Sequence, residues 1–245
     1  TILLDRLKLF THIDTFFVYS TWQERFIRQR WGIPSERVVF TPFMVDDSFF
    51  APGTVNASKW PRWLADLRRP VICAVGLERR DYPTLIDAVR GLDVRVVIAA
   101  ASPWSKQSDT TEGRALPENV TVRKFSQFEL RQVYDASAFL VMPLEPVEFQ
   151  AGVTAILEAM AMGKAVVCTR TDGQTDVLRE GETGLYVPPK DPSALRAAIQ
   201  KLLTDPEQAA RMGERGRRVI EDQMNLARYC QRLGDHVARA KAASP

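Results

Sequence analysis

The stretch QAGVTAILEAMAMGKAVV, residues 150–167, combines small residues, an apolar helical pattern and one carboxylate. Ala151 and Gly152 carry almost no side chain, so an anion can approach the N–H groups at the start of a helix, where the dipole favours phosphate. Glu158 lies inside that helix, and burying a carboxylate is costly unless a partner stabilises it. The pattern predicts a diphosphate site at Gly152 and Val153, and Glu158 as an acceptor for sugar hydroxyls.

The helix itself is predicted by an apolar stripe. Four residues share one face at the i, i+3, i+4, i+7 spacing of a helix that packs on a core: Val153, Ile156, Leu157 and Met160. Gly163 ends the pattern, and the strand-like KAVV follows. Thr154 and Glu158 are four residues apart and fall on a different face. Alternatively, Glu158 is a solvated residue on the exposed face of an ordinary amphipathic helix.

A second candidate phosphate site follows the apolar run VICAV. This run ends at Gly76, and Arg79 and Arg80 come directly after Leu-Glu. An arginine fork can bind phosphate through two parallel hydrogen bonds, which a lysine cannot do. The alternative is that both arginines are solvated loop residues.

Other pairs of reactive side chains are weaker candidates. Glu145 and Glu148 could form a carboxylate pair of the kind that hydrolyses glycosides. They lie in a proline-containing loop, however, which favours solvated carboxylates. His12 and His236 are far apart in sequence, and their spacing is not that of a metal site. We therefore predict no metal centre.

Composition restricts the class of protein. The 245 residues include 33 basic and 30 acidic side chains, and this net charge of +3 is too small to indicate a nucleic-acid partner. No apolar run approaches the roughly 20 residues that span a bilayer, and no signal peptide is visible. Three cysteines without CxxC spacing are typical of reduced thiols: Cys73, Cys168 and Cys230. We expect a soluble, cytoplasmic protein.

Apolar strand-like runs alternate with helical stretches along most of the chain. Continuous apolar strands separated by helices predict a parallel sheet covered on both faces, that is, an α/β doubly wound, Rossmann-like fold. Asp191-Pro192 and Asp205-Pro206 are typical of capped helix starts, and a further helix ends the chain. Ligands of such folds bind at the carboxyl ends of the strands. Ser102, in the loop AAASPWS, is therefore a candidate binding residue.

Several motifs together carry a family resemblance. The segment at 143–203 resembles the donor-binding half of retaining GT-B glycosyltransferases of the group 1 family, through EAMAMGKAVV, GQTDVLREGETGLYVPP and DPSALRAAI. Upstream, SERVVFTPFMVDDSFFAP is similar to the interdomain crossing of that family. AVGLERRDYPTLIDAV is similar to its first donor-domain strand, phosphate loop and helix.

The resemblance implies a domain organisation. Residues 1–45 would be the remnant of an N-terminal, acceptor-side α/β domain, and 46–55 the interdomain linker. Residues 56–225 would form the nucleotide-sugar donor-binding Rossmann-like domain, and 226–245 a C-terminal helix. Two strands and two helices before the linker are too few for an independent core. We therefore expect the chain to be part of a longer transferase and to be incomplete for catalysis by itself.

The resemblance also assigns roles to residues. The family has two glutamates with seven residues between them; Glu158 fills the second position, which implies a contact with ribose. Gln150 replaces the first, which contacts the transferred sugar, and it can hydrogen-bond but cannot carry a negative charge. Arg80 matches the family's lysine, and Arg79 is the candidate for its arginine. These four are the candidate catalytic residues.

The nucleobase would meet the backbone beside Lys124 and Phe125, although Phe125 could equally be a core residue. The complete donor-binding set implied by the motifs is Gly76, Ser102, Lys124, Phe125, Ala151, Gly152, Val153, Thr154 and Glu158.

The implied activity is metal-free transfer of a sugar from a nucleoside diphosphate sugar, expected to be a UDP-sugar, with retention at the anomeric carbon. No other cofactor is expected. The acceptor is open between a sugar, a lipid-linked sugar and a small molecule, and a further domain could contact a membrane surface.

Three alternatives compete with this interpretation. Gln150 in place of glutamate would also fit a nucleotide-sugar-binding protein of the same fold without transferase activity. A dehydrogenase is disfavoured because AVGLERRDYP contains one glycine where GxGxxG needs three. A sugar-nucleotide epimerase of related fold is the third alternative.

Overall fold

The computed structural model describes residues 8–55, 69–100, 111, 113 and 115–243. Its main sheet has six strands: β3 (Val71–Val75), β4 (Arg95–Ala99), β5 (Val120–Arg123), β6 (Phe139–Met142), β7 (Ala165–Thr169) and β8 (Gly184–Val187). A separate two-stranded parallel sheet consists of β1 (Phe16–Val18) and β2 (Val38–Phe40).

The strand order of the main sheet is β5-β4-β3-β6-β7-β8, and every neighbouring pair is parallel. All residues of β3, β6 and β7 are buried, as expected for strands covered on both faces. The predicted doubly wound fold is therefore confirmed. After the edge strand β5 the chain returns to the middle of the sheet and places β6 beside β3. At such a switch point, folds of this kind have a ligand-binding crevice at the carboxyl ends of the two strands.

In the described part of the chain, seven α-helices surround the sheets: α1 (Thr21–Trp31), α2 (Tyr82–Val89), α3 (Gln127–Ala136), α4 (Val153–Ala161), α5 (Pro192–Thr204), α6 (Pro206–Val219) and α7 (Leu226–Ala243). A π-helical turn at Ile220–Met224 joins α6 to α7. The predicted caps are confirmed, since Asp191 and Asp205 each accept a hydrogen bond of 2.8 Å from a first-turn N–H group.

The core divides into two clusters, one on each face of the main sheet. Alternate residues of β3 point to opposite clusters, as a strand requires: Ile72 faces α2 and α5, whereas Cys73 faces α3 and α4. The predicted apolar stripe of α4 lies in the cluster that contains Cys73. The stripe is buried, which confirms it as core. A third, small cluster packs α1 against β1 and β2 around Phe16 and Val38.

The chain passes from the small sheet to the main one beside the start of α7. Val45 donates to the carbonyl of Met224 and accepts from the N–H group of Leu226, both at 3.0 Å. The segment that leaves the small sheet and the segment that leads into α7 therefore run side by side. Within the described part of the chain, the helices are too short or too polar to cross a membrane.

Candidate functional site at the switch point of the sheet

Two loops meet at the carboxyl ends of β3 and β6. The N–H group of Asp81, after β3, donates to the carbonyl of Pro143, after β6, at 3.0 Å. The N–H group of Glu145 donates to the carbonyl of Arg79 at 2.9 Å. These backbone hydrogen bonds fix the loop at 76–81 against the loop that leads into α4, so the residues of both lie at the same end of the sheet.

Arg80 lies between the two glycines of these loops. A Cβ atom on Gly76 would overlap the Nη2 atom of Arg80, and one on Gly152 would lie 3.3 Å from the same atom and 2.7 Å from the sulfur of Met142. Both glycines also have positive φ angles, 100° and 78°. Glycine is therefore required at both positions for the guanidinium to reach the start of α4.

The Arg80 side chain is buried and is held by two backbone carbonyls. Nε donates to the carbonyl of Val75 at 2.8 Å and Nη1 to that of Glu78 at 2.6 Å, while only 5% of Arg80 is exposed. Burial lowers the pKa of Arg80, because removal from water disfavours the charged form. Arginine nevertheless stays protonated, so the crevice contains a fixed, poorly hydrated positive charge. Arg79, by contrast, is exposed and has a φ of 55°.

The start of α4 provides a second positive potential beside Arg80. Gly152 is the N-cap residue, and it has no side chain with which to satisfy the N–H groups of the first turn. Gln174, from the loop after β7, donates from Nε2 to the carbonyl of Ala151 at 2.7 Å and thereby holds the entry to the helix. The predicted diphosphate residues Ala151, Gly152 and Val153 are thus brought together with Arg80.

Glu158 is buried inside α4. Only 6% of it is exposed, and Oε2 accepts a hydrogen bond of 2.8 Å from the hydroxyl of Tyr134 on α3. Burial raises the pKa of Glu158 to about 7, and the bond from Tyr134 opposes this shift. The solvated-surface alternative for Glu158 is therefore wrong. Thr154, one turn earlier, is exposed, because the first turn of α4 lies at the crevice and its later turns lie in the core.

Gln150 reaches a small cavity between the two sheets. It is 4% exposed, and neither Nε2 nor Oε1 has a hydrogen-bond partner among the described residues. The cavity is lined by Tyr19 and Phe40, from the carboxyl ends of β1 and β2, and by Leu157 and Asp176 from the other side. A buried amide without partners is costly, so this position favours a ligand that can both donate and accept.

The candidate base-binding residues lie farther along the sheet. Lys124 is exposed directly after the edge strand β5, and Phe125 is partly buried against the larger apolar cluster. The packing of Phe125 agrees with the core alternative. Ser102 lies outside the described residues.

The loop carboxylates have structural partners. Oε1 of Glu145 lies 2.6 Å from Nζ of Lys190, which is also 3.2 Å from Oδ2 of Asp81, the N-cap residue of α2. Glu148 is exposed, which agrees with solvated loop carboxylates. In the described ranges, no group of His, Cys, Asp or Glu side chains could hold a metal ion.

Three polar residues that support the site were not predicted from the sequence. Tyr134 contacts Glu158, Gln174 holds Ala151, and Thr169 accepts a hydrogen bond of 3.0 Å from the N–H group of Leu144 through its hydroxyl. Each acts on a residue at least 23 positions away in sequence. Of the three, Thr169 could have been found from the sequence, because it lies at the carboxyl end of β7 and ligands of such folds bind at the carboxyl ends of strands.

Comparison with known proteins identifies the family. The model of the family described as glycosyl transferases group 1 matches residues 69–205. Alpha-D-kanosaminyltransferase of Streptomyces kanamyceticus is 29% identical over 199 residues, which cover 77% of this chain and 50% of that protein. D-inositol 3-phosphate glycosyltransferase of Corynebacterium urealyticum is 32% identical over 183 residues, which cover 67% of this chain and 42% of that protein.

Solved structures show the same fold. Sucrose-phosphate synthase from Thermosynechococcus elongatus superposes with a TM-score of 0.75 at 25% identity, over 93% of this chain and 58% of that one. Anabaena HepE in complex with UDP-glucose gives a TM-score of 0.79 at 16% identity, over 96% of this chain and 67% of that one. The predicted GT-B relationship of the fold is therefore confirmed.

The family match includes both loops of the crevice and the whole of α4, and it excludes the dehydrogenase and epimerase alternatives. The chain spans about half the length of the curated relatives that it matches. From the family match, the relatives and the fold together, this chain belongs to the glycosyl transferases group 1 family.

Proposed function

We propose that this chain supplies the donor-binding part of a retaining glycosyltransferase. The enzyme would move a sugar from a nucleoside diphosphate sugar, specifically a UDP-sugar, to an acceptor hydroxyl. The observation that carries the proposal is the buried guanidinium of Arg80, held between Gly76 and Gly152 at the start of α4. A fixed cation beside a helix N-terminus is suited to a diphosphate.

The difficult step is departure of the nucleoside diphosphate. The bond from the anomeric carbon to the phosphate oxygen breaks, and the electron pair stays with the diphosphate while the sugar becomes oxocarbenium-like. Arg80 and the first N–H groups of α4 are positioned in advance to stabilise that negative charge. Loss of one such donor typically costs about 3 kcal/mol, roughly a hundredfold in rate. The acceptor oxygen would attack from the face that the diphosphate leaves and pass its proton to the departing diphosphate oxygen, which retains the anomeric configuration.

Two further residues would orient the donor. Ribose hydroxyls would donate to the carboxylate of Glu158, which lies in the same helix as the diphosphate site. Gln150, with a buried amide that has no partner in the described structure, would bind hydroxyls of the transferred sugar. A UDP-linked donor is supported by the fold shared with HepE, a protein solved with UDP-glucose.

A metal-free mechanism is part of the proposal, because Arg80 and the α4 N–H groups can neutralise the diphosphate themselves. Arg79, which is exposed next to Arg80, would contribute a second charge. The acceptor would bind outside the described site. Free thiols at Cys73 and Cys168 support a reducing, cytoplasmic setting.

A thermal-shift and calorimetric screen tests donor binding. We expect UDP and UDP-glucose to raise the melting temperature of the chain more than GDP or ADP does. Absence of a shift with every nucleoside diphosphate would refute the diphosphate site. A larger shift with GDP or ADP would refute the choice of base alone.

A binding protein without transferase activity is the second candidate, and Gln150 is the residue that favours it. The two functions differ in turnover. A protein of the relatives' full length that contains this chain should release UDP from UDP-glucose in the presence of acceptor. Tight donor binding without UDP release from such a chain would favour the binding protein.

A further inference from the structure

Tyr134 has a fully buried phenol, and its hydroxyl contacts the carboxylate of Glu158, the candidate ribose-binding residue. It lies on α3, with no exposed surface, and its hydroxyl donates to Oε2 of Glu158 at 2.8 Å. The carbonyl oxygen of Ala155 is farther away, at 3.5 Å. The carboxylate is therefore the principal partner of the phenol.

This contact leaves the two oxygens of Glu158 in different states. Oε2 is occupied by Tyr134, whereas Oε1 accepts no hydrogen bond from any described residue. A hydroxyl donor to an ionised carboxylate forms a stronger and shorter hydrogen bond than one to a neutral acid. Tyr134 thus orients the carboxylate and favours its charged form, against the cost of burial.

We propose that Tyr134 is a positioning residue for nucleotide recognition: by binding one oxygen of Glu158, it directs the other oxygen at the ribose hydroxyls. This inference rests on the proposed ribose role of Glu158 and extends it to a residue that would not touch the ligand.

Besides Glu158, one charged group acts on Tyr134. Arg80, from the loop after β3, acts electrostatically on Tyr134, and so does the thiol of Cys73 on β3. Burial raises the pKa of Cys73 to about 12, so this thiol is neutral at pH 7. The ring of Phe50 packs against Tyr134 with centroids 6.1 Å apart. Among the described residues, Tyr134 is the only side chain that hydrogen-bonds the carboxylate of Glu158.

A pH profile of donor affinity reports on this arrangement. Ribose hydroxyls donate to the ionised carboxylate more strongly, so affinity should rise with pH through the pKa of Glu158, which burial raises to about 7. Removal of the phenol hydroxyl removes a group that lowers this pKa, and the midpoint of the profile should then move to higher pH. UDP-glucose has no proton of its own to lose in this range.

The test uses the whole chain and the variant Tyr134→Phe, titrated calorimetrically with UDP-glucose and its 2′,3′-dideoxyribose analogue from pH 5.5 to 8.5. We expect about tenfold weaker UDP-glucose binding at pH 7. The preference for ribose over dideoxyribose should narrow, and the midpoint should rise. Tyr186→Phe, which removes a phenol hydroxyl from β8, is the matched control and should leave all three quantities unchanged.

A purely structural role would give a different result. In that case Tyr134→Phe would lower the melting temperature but leave the ribose preference and the pH midpoint at wild-type values, which would overturn the proposal. Should Tyr134→Phe fail to fold, 3,5-difluorotyrosine incorporated at position 134 keeps the shape and makes the phenol a stronger donor. The midpoint should then move to lower pH, and an unchanged midpoint would also overturn the proposal.

Failure of the proposed function is distinguishable from failure of this inference. If the wild-type chain binds the ribose and dideoxyribose forms equally, the ribose role of Glu158 is wrong. If the wild-type chain prefers ribose and Tyr134→Phe retains the full preference, only the positioning role of Tyr134 is wrong.

Discussion

Arg79 and Arg80 are adjacent and chemically identical, yet the structure gives them opposite surroundings. The left-handed backbone at Arg79, with a φ of 55°, leaves its side chain exposed. Arg80 turns inward and is held by the carbonyls of Val75 and Glu78. The sequence predicted both arginines as phosphate-binding residues, and that role stays a prediction. It could not show which of the two is buried, because burial depends on the backbone of the loop.

The first prediction compares these two arginines. Arg80→Ala should weaken UDP binding about tenfold or more, because it removes a charge-assisted hydrogen bond, and should hardly affect uridine. Arg79→Ala should weaken UDP binding less, since a solvated side chain contributes little. Isothermal titration of both variants with UDP and uridine measures the effect. Equal losses for UDP and uridine in Arg80→Ala would remove Arg80 from the diphosphate site.

The second prediction concerns Glu158 and the pH dependence of stability. Burial raises its pKa from 4.5 to about 7, so the folded state binds this proton more tightly than the unfolded state does. The contribution to the unfolding free energy is therefore complete below pH 4.5 and is lost as pH rises towards 7, with a total loss of about 3 kcal/mol.

Urea denaturation of the wild type and Glu158→Gln between pH 4.5 and 8 tests this expectation. The wild type should lose stability relative to Glu158→Gln as pH rises, because glutamine cannot ionise. Glu148→Gln, at an exposed position before α4, is the control and should follow the wild type. A constant difference between the wild type and Glu158→Gln across this range would contradict the raised pKa.

At the scale of elements, local patterns were sufficient to predict the strands and helices. Continuous apolar runs predicted the buried strands, and Asp-Pro pairs predicted the starts of α5 and α6, because both signals act within a few residues. The surroundings of α4 were not predictable in the same way. Its apolar stripe indicated one buried face, but the burial of Glu158 depends on Tyr134 from α3, 24 positions away.

The third prediction concerns the contact of α6 with the turn after α4. A Cβ atom on Gly213 would overlap the carbonyl oxygen of Gly163 and lie 3.2 Å from the N atom of Ala165. Gly213→Ala should therefore destabilise the protein by about 1–3 kcal/mol, because backbone atoms must shift. Gly234→Ala, on α7, is the control: its Cβ would meet nothing within 4 Å, and alanine should stabilise the helix by about 0.5–1 kcal/mol. Chemical denaturation of both variants measures the difference, and equal effects would show that α6 can move away without cost.

At the scale of the whole molecule, the small sheet is joined to the main sheet by contacts between distant residues. Oδ2 of Asp176, in the loop after β7, accepts from the N–H group of Thr21 at 2.8 Å, and Oδ1 accepts from its hydroxyl at 2.7 Å. Asp176 thus caps α1 from 155 positions away. No local pattern predicts such a contact. The domain boundaries inferred from the resemblance stay a prediction.

The fourth prediction follows from this cap. Asp176→Ala should leave the first-turn N–H groups of α1 less protected and weaken the packing of α1 on the main domain, while the strands β3, β6 and β7 keep their own hydrogen bonds. Hydrogen–deuterium exchange should therefore become faster in Thr21–Trp31 and stay unchanged in those three strands. Asp172→Ala, an exposed carboxylate of the same loop, is the control and should exchange like the wild type. Asp176 also lines the cavity of Gln150. Unchanged exchange in α1 would contradict the prediction, and it would mean that the main role of this carboxylate is in the cavity and not in holding α1 on the main domain.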